Sequence, residues 1–171
     1  MPKRTIESKF LFKNKQLPPN YCLPIIIGFD LKTPENIGNI IRIADNIGCL
    51  KVFFATDIES TRNSKIRRTA ASSFDAVDWE FCKISELNEK IPAGYKKVAI
   101  ETTSDSQNIY ETGLPEKIAF IVGNEISGIS NDFLDTCDLI VHIPIFGNNT
   151  SLNVSHALAV SVFEWQKRFT V

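Results

Sequence analysis

Histidine is nearly absent, with two in 171 residues, and the four cysteines, Cys22, Cys49, Cys82 and Cys137, stand far apart with no CxxC pair. That scatter argues against a zinc cluster and a disulfide framework, and it fits reduced thiols in a cytoplasmic chain. No apolar run approaches the length of a membrane span, and the first 20 residues carry charges where a secretory signal needs an apolar centre. A soluble chain with no membrane and no metal is expected. Glycine-rich phosphate cradles of the GxGxxG or GxxxxGKS/T kind are also missing, which disfavours ordinary dinucleotide or nucleoside-triphosphate binding. Internal repeats, low-complexity tracts and clear linkers are absent too.

At 43% hydrophobic residues, the length suits one well-cored domain over 21–171, preceded by a basic arm over 1–20 that holds Lys3, Arg4, Lys9, Lys13 and Lys15 against Glu7 alone. The net charge of -1 conceals an asymmetry. Residues 1–68 hold 12 Lys and Arg against 6 Asp and Glu, and residues 69–171 hold 7 against 14. Such a split marks either an electropositive face for a polyanion or a merely solvated basic surface. Within it, "RNSKIRR" gathers Arg62, Lys65, Arg67 and Arg68.

Apolar runs of strand length recur at 24–30, 50–57, 96–103, 117–125 and 138–145, most of them continuous, as expected for strands covered on both faces. Between the first two, residues 36–48 place Ile37, Ile40, Ile41, Ala44 and Ile47 on one helical stripe, with Gly48 as the stop. The alternation predicts an α/β domain with a mainly parallel sheet flanked by helices. The last helix, expected over Ser151 to Arg168, is apolar nearly all round, so it serves as a homodimer contact or a deep monomer core.

Ligands of open α/β sheets bind beyond the carboxyl ends of the strands, which directs attention to three polar turns. They are "TPENIGNIIR" at 33–42, "VGNEISGIS" at 122–130 and "IPIFGNNTSLNVSHA" at 143–157. Glycine there permits close backbone approach, and Asn, Ser and Glu offer directional hydrogen bonds. Each turn alone also fits ordinary turn chemistry, with Ser151 as an N-cap.

In their order and spacing the three turns resemble the signature motifs of the SpoU (TrmH) family of SPOUT RNA methyltransferases, over Pro24 to Arg168. The resemblance implies a sheet whose C-terminal part forms a trefoil knot, S-adenosylmethionine bound in the knot loops, a homodimer, and transfer of methyl to a ribose 2′-hydroxyl of RNA. Carried over by position, the catalytic motif residues fall on Asn36, Arg42, Glu125, Ser151 and Asn153, and the cofactor-holding backbone on Thr102, Gly123, Ile143 and Leu152. Ile145 stands where the family often has Met. The expected role of Arg42 is to stabilise the developing alkoxide, since a guanidinium with pKa above about 12 is a poor base. Arg62, Lys65, Arg67 and Arg68 are expected to contact RNA phosphates. His142 and His156 read as structural. tRNA is the expected substrate, with ribosomal RNA as the alternative, because the chain leaves no room for the separate N-terminal RNA-binding domain of some ribosomal RNA members. Two further readings compete. A non-catalytic RNA-binding module could dispense with Arg42 or Asn153, and a nucleotide hydrolase would need a phosphate loop or metal cluster.

Overall fold

The computed structural model describes residues 7, 12–14, 16–58 and 63–170. Lys3, Arg4, Lys9 and Lys15 of the basic arm, and Arg62, lie outside the described residues. Each of the five apolar runs contains a strand: β1 (Ile25–Phe29), β2 (Lys51–Ala55), β4 (Lys96–Ile100), β6 (Ile118–Val122) and β7 (Leu139–His142). Two more strands, β3 (Trp79–Cys82) and β5 (Gln107–Asn108), have no continuous apolar run behind them. All seven form one sheet in the order β3-β2-β1-β6-β4-β7-β5, and every pairing is parallel.

The runs are continuous because both faces of the sheet are covered. Ile25, Ile27 and Phe29 enter one core with Leu87 of α4 (Leu87–Lys90) and Phe133 and Leu134 of α5 (Asn131–Leu134). Ile26 of the same strand enters the other core, built on α1 (Pro34–Ile47) and α6 (Val154–Thr170). Proline at the first turn of α1 sacrifices no intrahelical hydrogen bond, and the helix stops where Gly48 takes the left-handed conformation, φ 64°. Burial of Ile37, Ile40, Ile41, Ala44 and Ile47 matches the expected stripe.

The last helix departs from expectation. It begins at Val154, three residues later than Ser151, because Asn153 accepts the Ser155 N–H at 2.9 Å and so caps it. The monomer core covers Leu158, Val162 and Trp165 but leaves Val160 and Phe163 at 36% and 47% exposure. A deep monomer core therefore accounts for one stripe of this helix and not for the other. Trp165 is fixed at both ends of its ring system, by an edge contact to Phe120 and by donation from Nε1 to the Pro115 carbonyl at 2.9 Å.

Two helices, α2 (Asn63–Ala70) and α3 (Ser73–Ala76), follow β2, and α2 meets α1 at Gly38. A Cβ at Gly38 would stand 2.6 Å from Thr69 Cβ and 2.9 Å from the Ile66 carbonyl oxygen. Backbone cannot rotate away as a side chain can, so Gly38→Ala forces the helices apart. The expected net loss is about 1–2 kcal/mol, after an offset of about 1 kcal/mol from better helix propensity. Urea unfolding measures it, with Gly113→Ala, which meets nothing within 4 Å, as the control that leaves stability unchanged.

Candidate active site

Where the carboxyl ends of β1, β6 and β7 release the chain, the three polar turns are tied by one hydrogen-bond path. Glu125 Oε1 accepts from Asn36 Nδ2 at 2.8 Å and from the Thr33 N–H at 3.1 Å, while Oε2 accepts from the Lys32 N–H at 3.2 Å. Asn153 Nδ2 donates to Asn36 Oδ1 at 3.0 Å. Asn36 is buried, so both halves of its amide are used. The neighbouring Asn124 donates to the Asp30 carbonyl at 2.7 Å and accepts the Ile126 N–H at 2.8 Å, which bends the 124–128 turn. Asp30 takes the left-handed conformation, φ 51°, unusual for a residue with a side chain, and its carboxylate accepts from Thr56 Oγ1 at 2.9 Å.

Beside this path lies a cavity of about 500 Å³, walled by the ends of β4, β6 and β7 and the entry to α6. Thr102, Gly123, Ile143 and Leu152 all line it, as do Glu125, Ser151 and Asn153. Gly123 is required for the wall to close, since a Cβ there would stand 2.5 Å from the Gly128 carbonyl carbon. Two titratable residues of the lining, Glu101 and His142, are not among the expected site residues. Glu101 accepts the Thr102 N–H on one oxygen at 2.9 Å and the Ile129 N–H on the other at 3.2 Å. His142 Nδ1 shares a hydrogen bond with Ser106 Oγ at 3.0 Å, and that hydroxyl lies 2.8 Å from the Thr103 carbonyl oxygen.

Arg42 does not join this group. It is exposed on α1, does not line the cavity, and has no hydrogen-bond or ion-pair partner among the described residues. Six residues of helix carry it about 9 Å along the axis from Asn36. The basic cluster is also uneven. Arg67 makes two hydrogen bonds to Asp75, at 2.8 and 3.2 Å, and lies over the Phe74 ring at 4.1 Å. Lys65 sits 3.8 Å from Glu35, whereas Arg68 is exposed and has no such partner among the described residues.

Partial burial of Glu125 works to raise its pKa, but the hydrogen bonds from Asn36 and from the Lys32 and Thr33 segment outweigh it and hold the carboxyl below the ordinary Glu value. A depressed folded-state pKa contributes stability above the unfolded pKa and loses it as the pH falls through the folded value. The stability difference between wild type and Glu125→Gln should therefore be constant above about pH 5 and shrink below about pH 4, as read by denaturant unfolding across pH. A difference that is flat over this range would show that the Asn36 and backbone bonds do not depend on the charge.

The SpoU rRNA Methylase family pattern matches residues 24–163. Among similar proteins, the 23S rRNA (guanosine-2′-O-)-methyltransferase RlmB of Blochmanniella floridana is 31% identical over 150 residues, covering 85% of this chain and 58% of that protein. The tRNA (guanosine(18)-2′-O)-methyltransferase of Aquifex aeolicus is 25% identical over 149 residues, covering 84% of this chain and 69% of that one. The AdoMet-bound rRNA methyltransferase structure from Sinorhizobium meliloti superposes with a TM-score of 0.79 at 20% identity, over 91% of this chain and 60% of that one, and so shares the fold. The chain thus spans 58% of the length of the RlmB relative. The family match runs from the start of the sheet through all seven strands and into α6, over every turn that walls the cavity, and the chain belongs to the SpoU rRNA Methylase family.

Proposed function

We propose that this chain transfers the methyl group of S-adenosylmethionine to a ribose 2′-hydroxyl of RNA. The observation that carries the reading is the joining of Asn36, Glu125 and Asn153 at the mouth of a cavity lined by Thr102, Gly123, Ile143 and Leu152. The cavity fits the cofactor on two counts. Its volume of about 500 Å³ lies within the range of about 300–1,000 Å³ usual for small-molecule sites. Among the described residues its lining includes two carboxylates, Glu101 and Glu125, and no lysine or arginine, which suits a ligand bearing a sulfonium and an ammonium against one carboxylate.

When bound, S-adenosylmethionine supplies a methyl carbon already activated by the sulfonium, so the residues of the chain chiefly orient and stabilise. Backbone groups at Thr102, Gly123, Ile143 and Leu152 hold the cofactor. The Glu125–Asn36–Asn153 path fixes the loops around the reacting ribose, and Ser151 adds a hydroxyl at its rim. Arg42 stabilises negative charge on the attacking oxygen while the hydroxyl proton passes to solvent or phosphate. Its place outside the cavity means that it meets the ribose and phosphate from the RNA side. The trefoil knot that the resemblance implies belongs to the same reading, with the cavity walled by the loops after β4 and β6 and the entry to α6. So does the homodimer, which would cover Val160 and Phe163. Arg68 supplies phosphate contacts ahead of Lys65 and Arg67, whose charges already face Glu35 and Asp75.

For the RNA class we take tRNA first. A second reading, 23S rRNA, is favoured by the name of the 31% identical relative. Transfer of labelled methyl to separated tRNA and ribosomal RNA, with the product mapped for 2′-O-methylribose, distinguishes them. Arg42→Ala should lower transfer by about 100-fold or more, with cofactor binding unchanged by calorimetry. Full transfer by that variant would remove Arg42 from the chemistry.

A further inference from the structure

Glu101 stands at the carboxyl end of β4, a central strand, and lines the cavity between the β6 and β7 loops. It is half-buried, and among the described residues it has no cationic partner. Its two hydrogen bonds come from neutral backbone N–H groups, one to each oxygen. Gly128, at φ 67°, keeps the space beside it clear, since a Cβ there would stand 2.6 Å from Glu101 Oε2. Carboxylates withdrawn from water are ordinarily matched by a cation. The other charged group on the cavity wall, Glu125, has the same sign.

Resting on the cofactor reading above, we infer that Glu101 is a cofactor-discriminating residue, whose carboxylate makes the cavity favour the sulfonium of the methyl donor over the neutral thioether of the product. In the transfer the ribose oxygen forms a bond to the methyl carbon and the carbon–sulfur bond breaks. Sulfur keeps the electron pair and loses its positive charge, and the hydroxyl proton leaves to solvent or phosphate. Methyl donor and S-adenosylhomocysteine differ by that methyl and that charge alone, so the attraction of Glu101 is lost at the moment of reaction. Transfer itself thereby weakens the hold on the product. Glu125 is exposed at the mouth, with its oxygens committed to Asn36 and the 32–33 backbone. That leaves Glu101, half-buried at the end of β4, as the less exposed of the two carboxylates.

Calorimetric titration of the full chain with S-adenosylmethionine, S-adenosylhomocysteine and sinefungin, in which an amine carries the positive charge, tests this without any turnover. Relative to wild type, Glu101→Gln should shift the ratio of donor to product affinity by about tenfold toward the product. Sinefungin should follow the donor. Glu101→Asp keeps the charge and should keep the wild-type ratio. If Gln and Asp variants change the ratio alike, Glu101 acts through its backbone bonds and the inference is overturned. An unchanged ratio in Glu101→Gln overturns it as well. Should the Gln variant not fold, the wild type decides: it must bind the donor and sinefungin more tightly than S-adenosylhomocysteine, and equal affinity for all three refutes the charge role. Failure of wild type to bind any of the three would instead remove the cofactor reading itself.

Discussion

Glu125 is an acceptor and nothing else, and that single property orders the loops around it. Because its oxygen needs a donor, the buried Asn36 amide must turn its nitrogen toward it, which leaves the Asn36 oxygen facing away. That oxygen in turn requires the Asn153 nitrogen, so the Asn153 oxygen is directed at the Ser155 N–H and begins α6. One carboxylate thus orients two amides and caps the last helix. The polarity is transmitted through side chains that are 89 and 117 residues apart in the chain. Reversing either amide would set two acceptors or two donors face to face, at about 1–3 kcal/mol for each buried group left unpaired.

The sheet makes this path possible. β6 is inserted between β1 and β4, so the turn bearing Glu125 emerges beside the entry to α1 on one side and beside Glu101 on the other. Strands parallel throughout deliver all their carboxyl ends to one edge, where polar turns can meet without burying unpaired backbone. The core beneath is indifferent to the chemistry above. Ile26 and Phe120 on one face, Ile27 and Ile121 on the other, need only be apolar and close-packed. The cavity is therefore walled by the strand ends, the loops that follow them and the entry to α6.

How far this could be seen in the sequence depends on the range over which each feature is decided. Double-faced burial writes itself as continuous apolar runs, so β1, β2, β4, β6 and β7 were legible, and so was α1 from its stripe and Gly48. β3 was not, because its half-buried residues Trp79, Glu80 and Phe81 show no such run, and the two residues of β5 are too few for any pattern. The start of α6 was misplaced because Ser151 and Asn153 are both good caps, and the choice falls to Asn36 far away in the chain. Glu101 was hidden inside an expected strand that runs on through Thr102 and Thr103. The strand stops because the Glu101 carboxylate captures the Thr102 N–H, a competition of side chain with ladder that composition does not reveal.

Local pairing also decides what a cluster of basic residues can do. Arg67 would have to surrender a two-pronged bond to Asp75 and a ring contact with Phe74 before meeting a phosphate, whereas Arg68 and Arg42 surrender nothing among the described residues. Those two arginines lie on α2 and α1, the helices locked together at Gly38. Asn36, Gly38 and Arg42 fall within two turns of one helix, and they serve the loop path, the helix contact and the exposed charge respectively. A disturbance at Gly38 therefore displaces Arg68 relative to Arg42 and loads the α1 terminus that Glu125 holds. The stiffness of α1 thus ties the turn that Glu125 holds at one end to the helix contact at Gly38 and the exposed charge of Arg42.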